Sequence, residues 1–172
     1  GTESDNHAII GACFANEGNH IITAPTEHKA VLNSINYLVE HHRYEVSFLS
    51  VSENGSIDLN ELKTLLKKET VLVSLMYVNN EIGIIHPIEE ISKLCKSKNV
   101  LFHTDAVQAF GKIPIDLTLT PIDLLSASSH KIYGPKGAGF TYIRKGTLIE
   151  KTVHGGSQEF DMRSGTENVI SI

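Results

Sequence analysis

Short apolar runs alternate with helical patterns along the whole chain. The patterns predict helices over residues 2–17, 28–40 and 58–68 and from Pro87 onward, and strands over 20–23, 45–51, 71–78 and 100–104. The run at 71–78 is almost continuously apolar, which is typical of a strand buried on both faces. Such alternation favours a mostly parallel sheet covered by helices, in a three-layer α/β/α fold.

Two of the predicted helix starts carry capping signals. Glu3 and Asp5 fall in the first turn of the first helix, where negative side chains suit the helix dipole. Asp58 is followed three residues later by Glu61, which is the spacing of a capping box. Both signals support the helix assignments.

Length and composition exclude several classes of protein. The 172 residues are enough for one domain of ordinary size with a real core. With 41% hydrophobic and 20% charged residues the chain is not disordered, and no apolar run approaches the roughly 20 residues of a membrane span. A net charge of -5 disfavours binding to nucleic acid or to an anionic membrane. We therefore expect neither kind of partner.

The two cysteines and the two chain ends add further expectations. Cys13 and Cys95 cannot form a disulfide scaffold or a four-thiolate zinc site, so no metal site is predicted and a reducing, cytoplasmic compartment is expected. The chain begins without methionine and ends on the apolar stretch 169–172. We therefore expect it to be part of a longer protein.

The first candidate for chemistry is Asp105, which follows an apolar strand. In open α/β sheets ligands bind beyond the carboxyl ends of the strands, so this carboxylate is expected at the ligand edge. A buried carboxylate needs a cation or several donors, and a protonated ring nitrogen would be such a partner. The alternative is an ordinary helix N-cap.

A second candidate is Lys131, which follows Ser128, Ser129 and His130 and precedes a Gly-Pro-Lys-Gly turn. A lysine on such rigid backbone suits an amine nucleophile. That role requires burial or a cationic neighbour to lower its pKa, and His130 and Lys136 are the candidates for that neighbour. The alternative is a solvated surface lysine.

Two further positions suggest a ligand with a phosphate and a planar ring. Gly1 and Thr2 lead directly into a helix, whose free N–H groups and adjacent hydroxyl make a phosphate site. His28 follows a strand and begins a helix, where an imidazole could stack on a planar ligand. The alternatives are a simple cap and a structural or exposed histidine. A lysine nucleophile, an aspartate, a phosphate-binding helix start and an imidazole are together the parts of a pyridoxal phosphate (PLP) site.

Six motifs, in order along the chain, resemble the cysteine desulfurases of the NifS/IscS type, which are fold-type-I, class-V-aminotransferase-like PLP enzymes. They are residues 1–6 (GTESDN), 26–31 (TEHKAV), 78–83 (VNNEIG), 103–108 (HTDAVQ), 128–137 (SSHKIYGPKG), and 154–159 (HGGSQE) with 163–166 (RSGT). The resemblance covers essentially the whole chain. It implies that residues 1–172 are the core of an aspartate aminotransferase-like, PLP-binding large domain, without the N-terminal segment and the C-terminal small domain.

The resemblance also implies roles for single residues. Lys131 would form the Schiff base with PLP, Asp105 would pair with the pyridinium nitrogen, and His28 would stack on the ring and take part in acid/base steps. These three are the predicted catalytic residues. All three also count among the predicted cofactor-binding residues.

The remaining predicted cofactor contacts surround the ring and the phosphate. Gln108 would bind the phenolic oxygen of the ring, and Asn80 would lie near that oxygen and the substrate carboxylate. Thr2, Ser128 and His130 would hold the phosphate.

The implied activity is conversion of L-cysteine to L-alanine, with the sulfur passed as a persulfide to an acceptor protein such as an iron–sulfur scaffold. Thr166 would reach the phosphate of the neighbouring subunit, so the enzyme would be a homodimer. Selenocysteine lyase, or another class-V aminotransferase-like enzyme, remains an alternative because it shares nearly all of these motifs. A non-catalytic remnant is disfavoured because Lys131, Asp105, Gln108 and His28 are all present.

The chain lacks some parts of the family pattern. The resemblance implies that the persulfide-forming cysteine and the arginine for the substrate carboxylate lie beyond residue 172. Cys13, Cys95 and Arg163 are not expected to replace them. Phe160 and Asp161 stand where arginine and glycine are common in the family. The fragment alone is therefore expected to be inactive.

Overall fold

The computed structural model describes residues 1–172 and contains four α-helices and six strands. The helices are α1 (Thr2–Ala15), α2 (Lys29–His42), α3 (Leu59–Leu65) and α4 (Ile88–Ser97). The strands are β1 (His20–Thr23), β2 (Glu45–Phe48), β3 (Thr70–Ser74), β4 (Leu101–Asp105), β5 (Leu124–Ser128) and β6 (Gly139–Ile143). None of the helices is both long enough and apolar enough to cross a bilayer.

All six strands form one sheet in the order β2-β1-β3-β4-β5-β6. The first five are parallel to their neighbours, and only β6 pairs antiparallel with β5. The predicted mostly parallel sheet is therefore confirmed. Because strand side chains alternate between the faces, the sheet contributes to two separate cores.

Each face of the sheet is covered by one pair of helices. On one face α1 and α2 pack against Leu72 and Leu124. On the other face α3 and α4 pack against Val73, Phe102 and Leu125. This is the three-layer arrangement that the alternating pattern predicts.

The apolar run at 71–78 is shorter as a strand than predicted. β3 ends at Ser74, although the backbone N–H groups of Leu75 and Tyr77 still donate to carbonyls of β4. The N–H of Met76 donates instead to the carboxyl group of Glu27, at 2.7 Å. A side chain thus replaces the backbone partner that β1 would supply, and the ladder on that side stops.

Other predicted boundaries were too long at their carboxyl ends. The first helix ends at Ala15 rather than at residue 17, the second strand at Phe48 rather than 51, and the third helix at Leu65 rather than 68. By contrast, α2 begins one residue later than predicted and continues to His42, because Arg43 closes it in a left-handed conformation. Pro87 is the N-cap of α4 rather than its first residue.

The predicted capping box at Asp58 is only half formed. Asp58 accepts a hydrogen bond from the N–H of Asn60 at 2.8 Å, as an N-cap should. Glu61, however, accepts from the N–H and the hydroxyl of Ser50 rather than from Asp58. It therefore fastens α3 to the segment that follows β2.

Helix α1 packs against the segment after β6 with no room for a side chain at Gly11. A Cβ atom at this position would lie 2.3 Å from the carbonyl oxygen of Glu150, and the N–H of Glu150 donates to the Gly11 carbonyl at 3.0 Å. The contact is between two backbones. Neither side can therefore yield by changing a rotamer.

We predict that Gly11→Ala lowers the free energy of unfolding of the full-length protein by about 1–3 kcal/mol, through overpacking. On an open helix surface the same change would stabilise by about 1 kcal/mol, so the sign itself is informative. The measurement is urea unfolding followed by circular dichroism. Asn33→Ala, on the exposed side of α2, is the control and should stay within about 0.5 kcal/mol of the wild type. A stabilised Gly11→Ala variant would contradict the packing described.

Candidate functional site

Four parallel strands end at one edge of the sheet, and polar side chains follow each of them. The segment after β1 carries His28, the segment after β3 carries Asn80, β4 ends in Asp105, and β5 leads into Lys131. β6 runs the other way, so its first residue, Gly139, lies at the same edge. This edge is where ligands bind in parallel α/β sheets.

The start of α1 reaches the same edge. A Cβ on Gly1 would be 3.1 Å from Val107 and 3.8 Å from Ser128, and a Cβ on Gly139 would be 2.6 Å from the Ala127 carbonyl and 3.4 Å from the Gly1 nitrogen. The backbones of α1, β5 and β6 therefore approach closely. No side chain caps the N-terminus of α1, so N–H groups of its first turn remain available to an anion.

The end of β5 is held in a tight turn that carries Lys131. Residues Ser129–Ile132 form a 3₁₀ turn, and the Ser129 hydroxyl donates to the carbonyls of Pro135 and Ala138. Ser128 and His130 are joined through the hydroxyl and Nδ1 at 2.7 Å. Lys131 is exposed and makes no side-chain hydrogen bond within the chain. Its amine is free while its backbone is fixed.

Asp105 is buried, with one carboxylate oxygen left open to a further partner. Its Oδ1 accepts the N–H of Val107 at 2.9 Å, and no protein group donates to its second oxygen. Burial raises the pKa of Asp105, while the Val107 N–H and the nearby His28 oppose that rise. The bond to Val107 is the kind that a helix N-cap makes, which was the alternative interpretation of Asp105. Residues 107–112, however, form turns rather than a helix.

His28 is the N-cap of α2. Its Nδ1 accepts the N–H of Ala30 at 3.1 Å, so in the neutral ring the proton resides on Nε2. The side chain is otherwise exposed. The backbone of α2 thus fixes the orientation of a ring whose other nitrogen is free.

The other predicted contacts differ in how firmly the chain holds them. Gln108 is half-buried and its carbonyl accepts from Lys112 at 2.8 Å, which leaves its amide N–H groups free. Thr2 and Asn80 are exposed near the start of α1 and after β3. Thr166 lies in an exposed segment and has no side-chain partner within the chain, although Arg163, three residues before it, binds Glu3 at 2.7 Å.

Four polar residues beneath this edge were missed as members of the site: Asp5, Glu27, Asn79 and His103. The sequence pattern assigned Asp5 to the helix dipole and Asn79, Glu27 and His103 only to motifs. The available signal was position, because Glu27 and Asn79 directly precede His28 and Asn80, and His103 lies two residues before Asp105. Asp5 offered only its place in the first turn of α1. Burial could not be deduced from that.

Asn79 joins two of the loops at the edge. Its Nδ2 donates to the carbonyl of Thr26 at 3.0 Å, and its Oδ1 accepts the N–H groups of Glu81 and Ile82. Together with the bond from Met76 to Glu27, this makes the segments after β1 and β3 one unit. Asn79 therefore positions the loop that carries its neighbour Asn80.

His103 occupies the centre of a buried polar row beneath α1. Its Nδ1 lies 2.8 Å from the Ser74 hydroxyl and its Nε2 lies 3.0 Å from the Ser126 hydroxyl. Complete burial lowers the pKa of His103 to about 3, so the ring is neutral. Asp5 lies 3.7 Å from Nε2, which is too far for a hydrogen bond.

Residues 1–171 match the Aminotransferase class-V family. A cysteine desulfurase IscS from Dictyoglomus turgidum is 52% identical over 174 residues, which is all of this chain and 44% of that protein. The chain thus spans less than half the length of this relative.

Solved structures agree with the sequence relatives. A NifS-like protein superposes with a TM-score of 0.93 at 45% identity, over 99% of this chain and 47% of its own. SspA in complex with cysteine superposes with a TM-score of 0.93 at 38% identity, over 99% of this chain and 50% of its own. The expected resemblance and the fold class are both confirmed.

Both cysteines are buried away from this edge, so they should be unreactive. Burial raises the pKa of Cys13 and of Cys95 to about 12, and the thiolate is the reactive form. In the native full-length protein, iodoacetamide at pH 8 should leave both unlabelled, and both should react once the protein is unfolded. Peptide mass spectrometry measures the two sites separately. Native labelling of either cysteine would show that its helix opens readily.

Proposed function

The chain belongs to the class-V aminotransferase family, and from that premise we propose that the protein containing it is a PLP-dependent cysteine desulfurase. The reaction would convert L-cysteine to L-alanine and pass the sulfur, as a persulfide, to an acceptor protein of iron–sulfur cluster assembly. Identity of about 50% to IscS over the whole chain supports this assignment. The complex of SspA with cysteine supports the substrate class.

The observation that carries the proposal is the open oxygen of Asp105 at a sheet edge that also carries Lys131, His28 and the uncapped start of α1. A carboxylate buried at a ligand edge, with one oxygen unused, fits a protonated ring nitrogen. The uncapped N-terminus of α1 beside Ser128 fits a phosphate group. The free amine of Lys131 fits a carbonyl carbon. These are the three anchoring points of PLP.

We assign the residues that would bind PLP by the part of the cofactor they contact. Thr2, Ser128 and His130 would bind the phosphate, and Lys131 would form the covalent link. Asp105 would bind the ring nitrogen, Gln108 and Asn80 would lie on the side of the phenolic oxygen, and His28 would lie on the ring face. When bound, PLP supplies an electron-withdrawing ring that stabilises negative charge on the substrate carbon next to the amino group. The chain's part is to orient the ring and to keep the proton on its nitrogen.

His28 and Lys131 would move protons. The Nε2 of His28 is free for proton exchange because Nδ1 is occupied by the backbone of α2. The tight turn that carries Lys131 fixes the backbone from which the free amine extends toward the candidate site.

The rest of the enzyme would come from outside these residues. We infer that 1–172 form the incomplete core of the PLP-binding domain, and that Thr166 completes the phosphate site of a second subunit. The persulfide would form on a cysteine of another segment, because Cys13 and Cys95 are buried and protonated. A reducing cytoplasm suits two buried free cysteines.

Lys131→Ala should abolish the covalent attachment of PLP in the full-length protein. Borohydride reduction followed by peptide mass spectrometry should find the cofactor on Lys131 in the wild type and on no lysine in the variant. Lys145→Ala, which is exposed and away from the turn, should label like the wild type. Label on Lys136, or on any other lysine, would refute the assignment.

Asp105→Asn should lower kcat/KM for alanine formation from cysteine about 10²-fold or more, because the charge facing the ring nitrogen is lost. The matched control is Asp123→Asn, at the opposite end of β4, where the carboxylate accepts the N–H of Phe102. That variant should keep nearly normal kcat. Near-normal turnover by Asp105→Asn would mean that Asp105 is only a cap, and parallel assays with selenocysteine would identify a lyase preference.

A further inference from the structure

Three buried carboxyl groups at this edge of the sheet are close enough to act on one another: one in the first turn of α1, one in the segment after β1 and one at the end of β4. Asp5, Glu27 and Asp105 form this buried carboxyl cluster, and they expose 1%, 6% and 7% of their surface. No lysine or arginine forms an ion pair with any of them. Three carboxylates without cations could not be buried together as anions.

His103, the nearest candidate cation, does not supply a charge. Both of its ring nitrogens are within hydrogen-bond distance of serine hydroxyls, and complete burial holds its pKa at about 3. His28 is the only other imidazole acting on the cluster, and it acts on Asp105. The cluster therefore has to reduce its own negative charge by binding protons.

The hydrogen bonds show which member can best bear a charge. One oxygen of Asp5 and one of Glu27 are fully buried and have no partner. Asp105 has no such orphaned oxygen: one is bonded to the Val107 N–H and the other is not sealed from the ligand edge. An ionised oxygen without a donor is far more costly than a protonated one.

We propose that Asp5 and Glu27 are neutral carboxylic acids in the folded protein, so that the single negative charge of the buried carboxyl cluster resides on Asp105. They act as positioning residues that reserve this charge for the open strand edge. That the charge serves a ring nitrogen rests on the proposed function, whereas the placement of the protons does not.

The electrostatics of each group agree with this distribution. Burial, and next the charge of Asp105, raise the pKa of Asp5 to about 8, while the Ser126 hydroxyl opposes the rise. Burial also raises the pKa of Glu27 well above its usual value, with Asp105 and Asp5 adding to it and the Met76 N–H opposing. The charge of Asp105 thus acts on both neighbours.

The test reads protons directly, in the full-length protein stripped of PLP. At pH 7, the infrared C=O absorption of protonated carboxyl groups should decrease by the intensity of one group in Asp5→Asn and by that of one group in Glu27→Gln. It should not decrease in Asp116→Asn, an exposed control. In Asp105→Asn both signals should persist because burial is the main cause that raises the two pKa values, although Asp5 should ionise at a lower pH than in the wild type. Loss of the signal in Asp105→Asn but not in Asp5→Asn would overturn the proposal. So would a signal unchanged in every variant.

A stability titration gives a second measurement. The folded protein keeps on Asp5, up to about pH 8, a proton that an ordinary aspartate releases near 3.8. Stability in the wild type therefore falls as the pH rises through that interval. The Tm difference, Asp5→Asn minus wild type, should therefore increase from pH 4 to pH 8 and stay constant above that pH. A constant Tm difference would contradict a protonated Asp5.

These readouts also separate the two proposals. If the protein shows the expected infrared pattern but binds no PLP, the proposed function fails and the proton placement stands. If it binds PLP on Lys131 but the protons lie on Asp105, the function stands and the inference fails. Should Asp5→Asn not fold, Glu27→Gln together with a ¹³C carboxyl NMR titration of wild-type aspartates, in which Asp5 should titrate near pH 8, decides the same question.

Discussion

The packing of α1 across β3, β4 and β5 is the contact on which the remaining structure depends. It seals Ala8, Ile9 and Ala12 against the sheet and brings the helix start to the ends of the strands. The approach is so close that Gly11 must lack a side chain. One packed interface therefore builds the core and one wall of the candidate site together.

The same interface determines the electrostatics of the site. Asp5 lies in the first turn of α1, so seating the helix on the sheet carries this carboxyl group into a region without cations. Beneath the helix, Ser74, His103 and Ser126 hydrogen-bond to one another, but no group donates to the buried Oδ1 of Asp5. Burial of the helix and protonation of the acid are therefore coupled events.

The sequence was most informative where a local pattern maps directly onto structure. The alternation of helices and short apolar strands predicted the sheet and its layers, and the strand ends at Asp105 and Lys131 predicted the edge at which polar groups gather. Sequence patterns were less accurate about where elements stop. β3 ends where the side chain of Glu27 replaces a backbone partner, and that contact joins residues 49 positions apart.

Buried polar groups were the other failure of sequence reasoning, and the cause is physical. Asp5 has the position of an ordinary dipole-complementing residue, and only the tertiary location of α1 makes it a buried acid. Glu61 has the spacing of a capping box, yet Ser50 offers it a second partner across the loop. A local sequence pattern therefore indicates which partners a residue could have, and the tertiary packing determines which partner it actually has.

The cap at the start of α2 has a consequence for how this position can evolve. Small polar residues can accept the Ala30 N–H but have no ring, and the other aromatic residues have a ring but no acceptor beside the backbone. Histidine alone combines both properties, which for an exposed side chain is an unusual restriction. Consider a library of all substitutions at His28 that is selected once for folding and once for turnover. Small polar residues should pass the selection for folding and fail the selection for turnover.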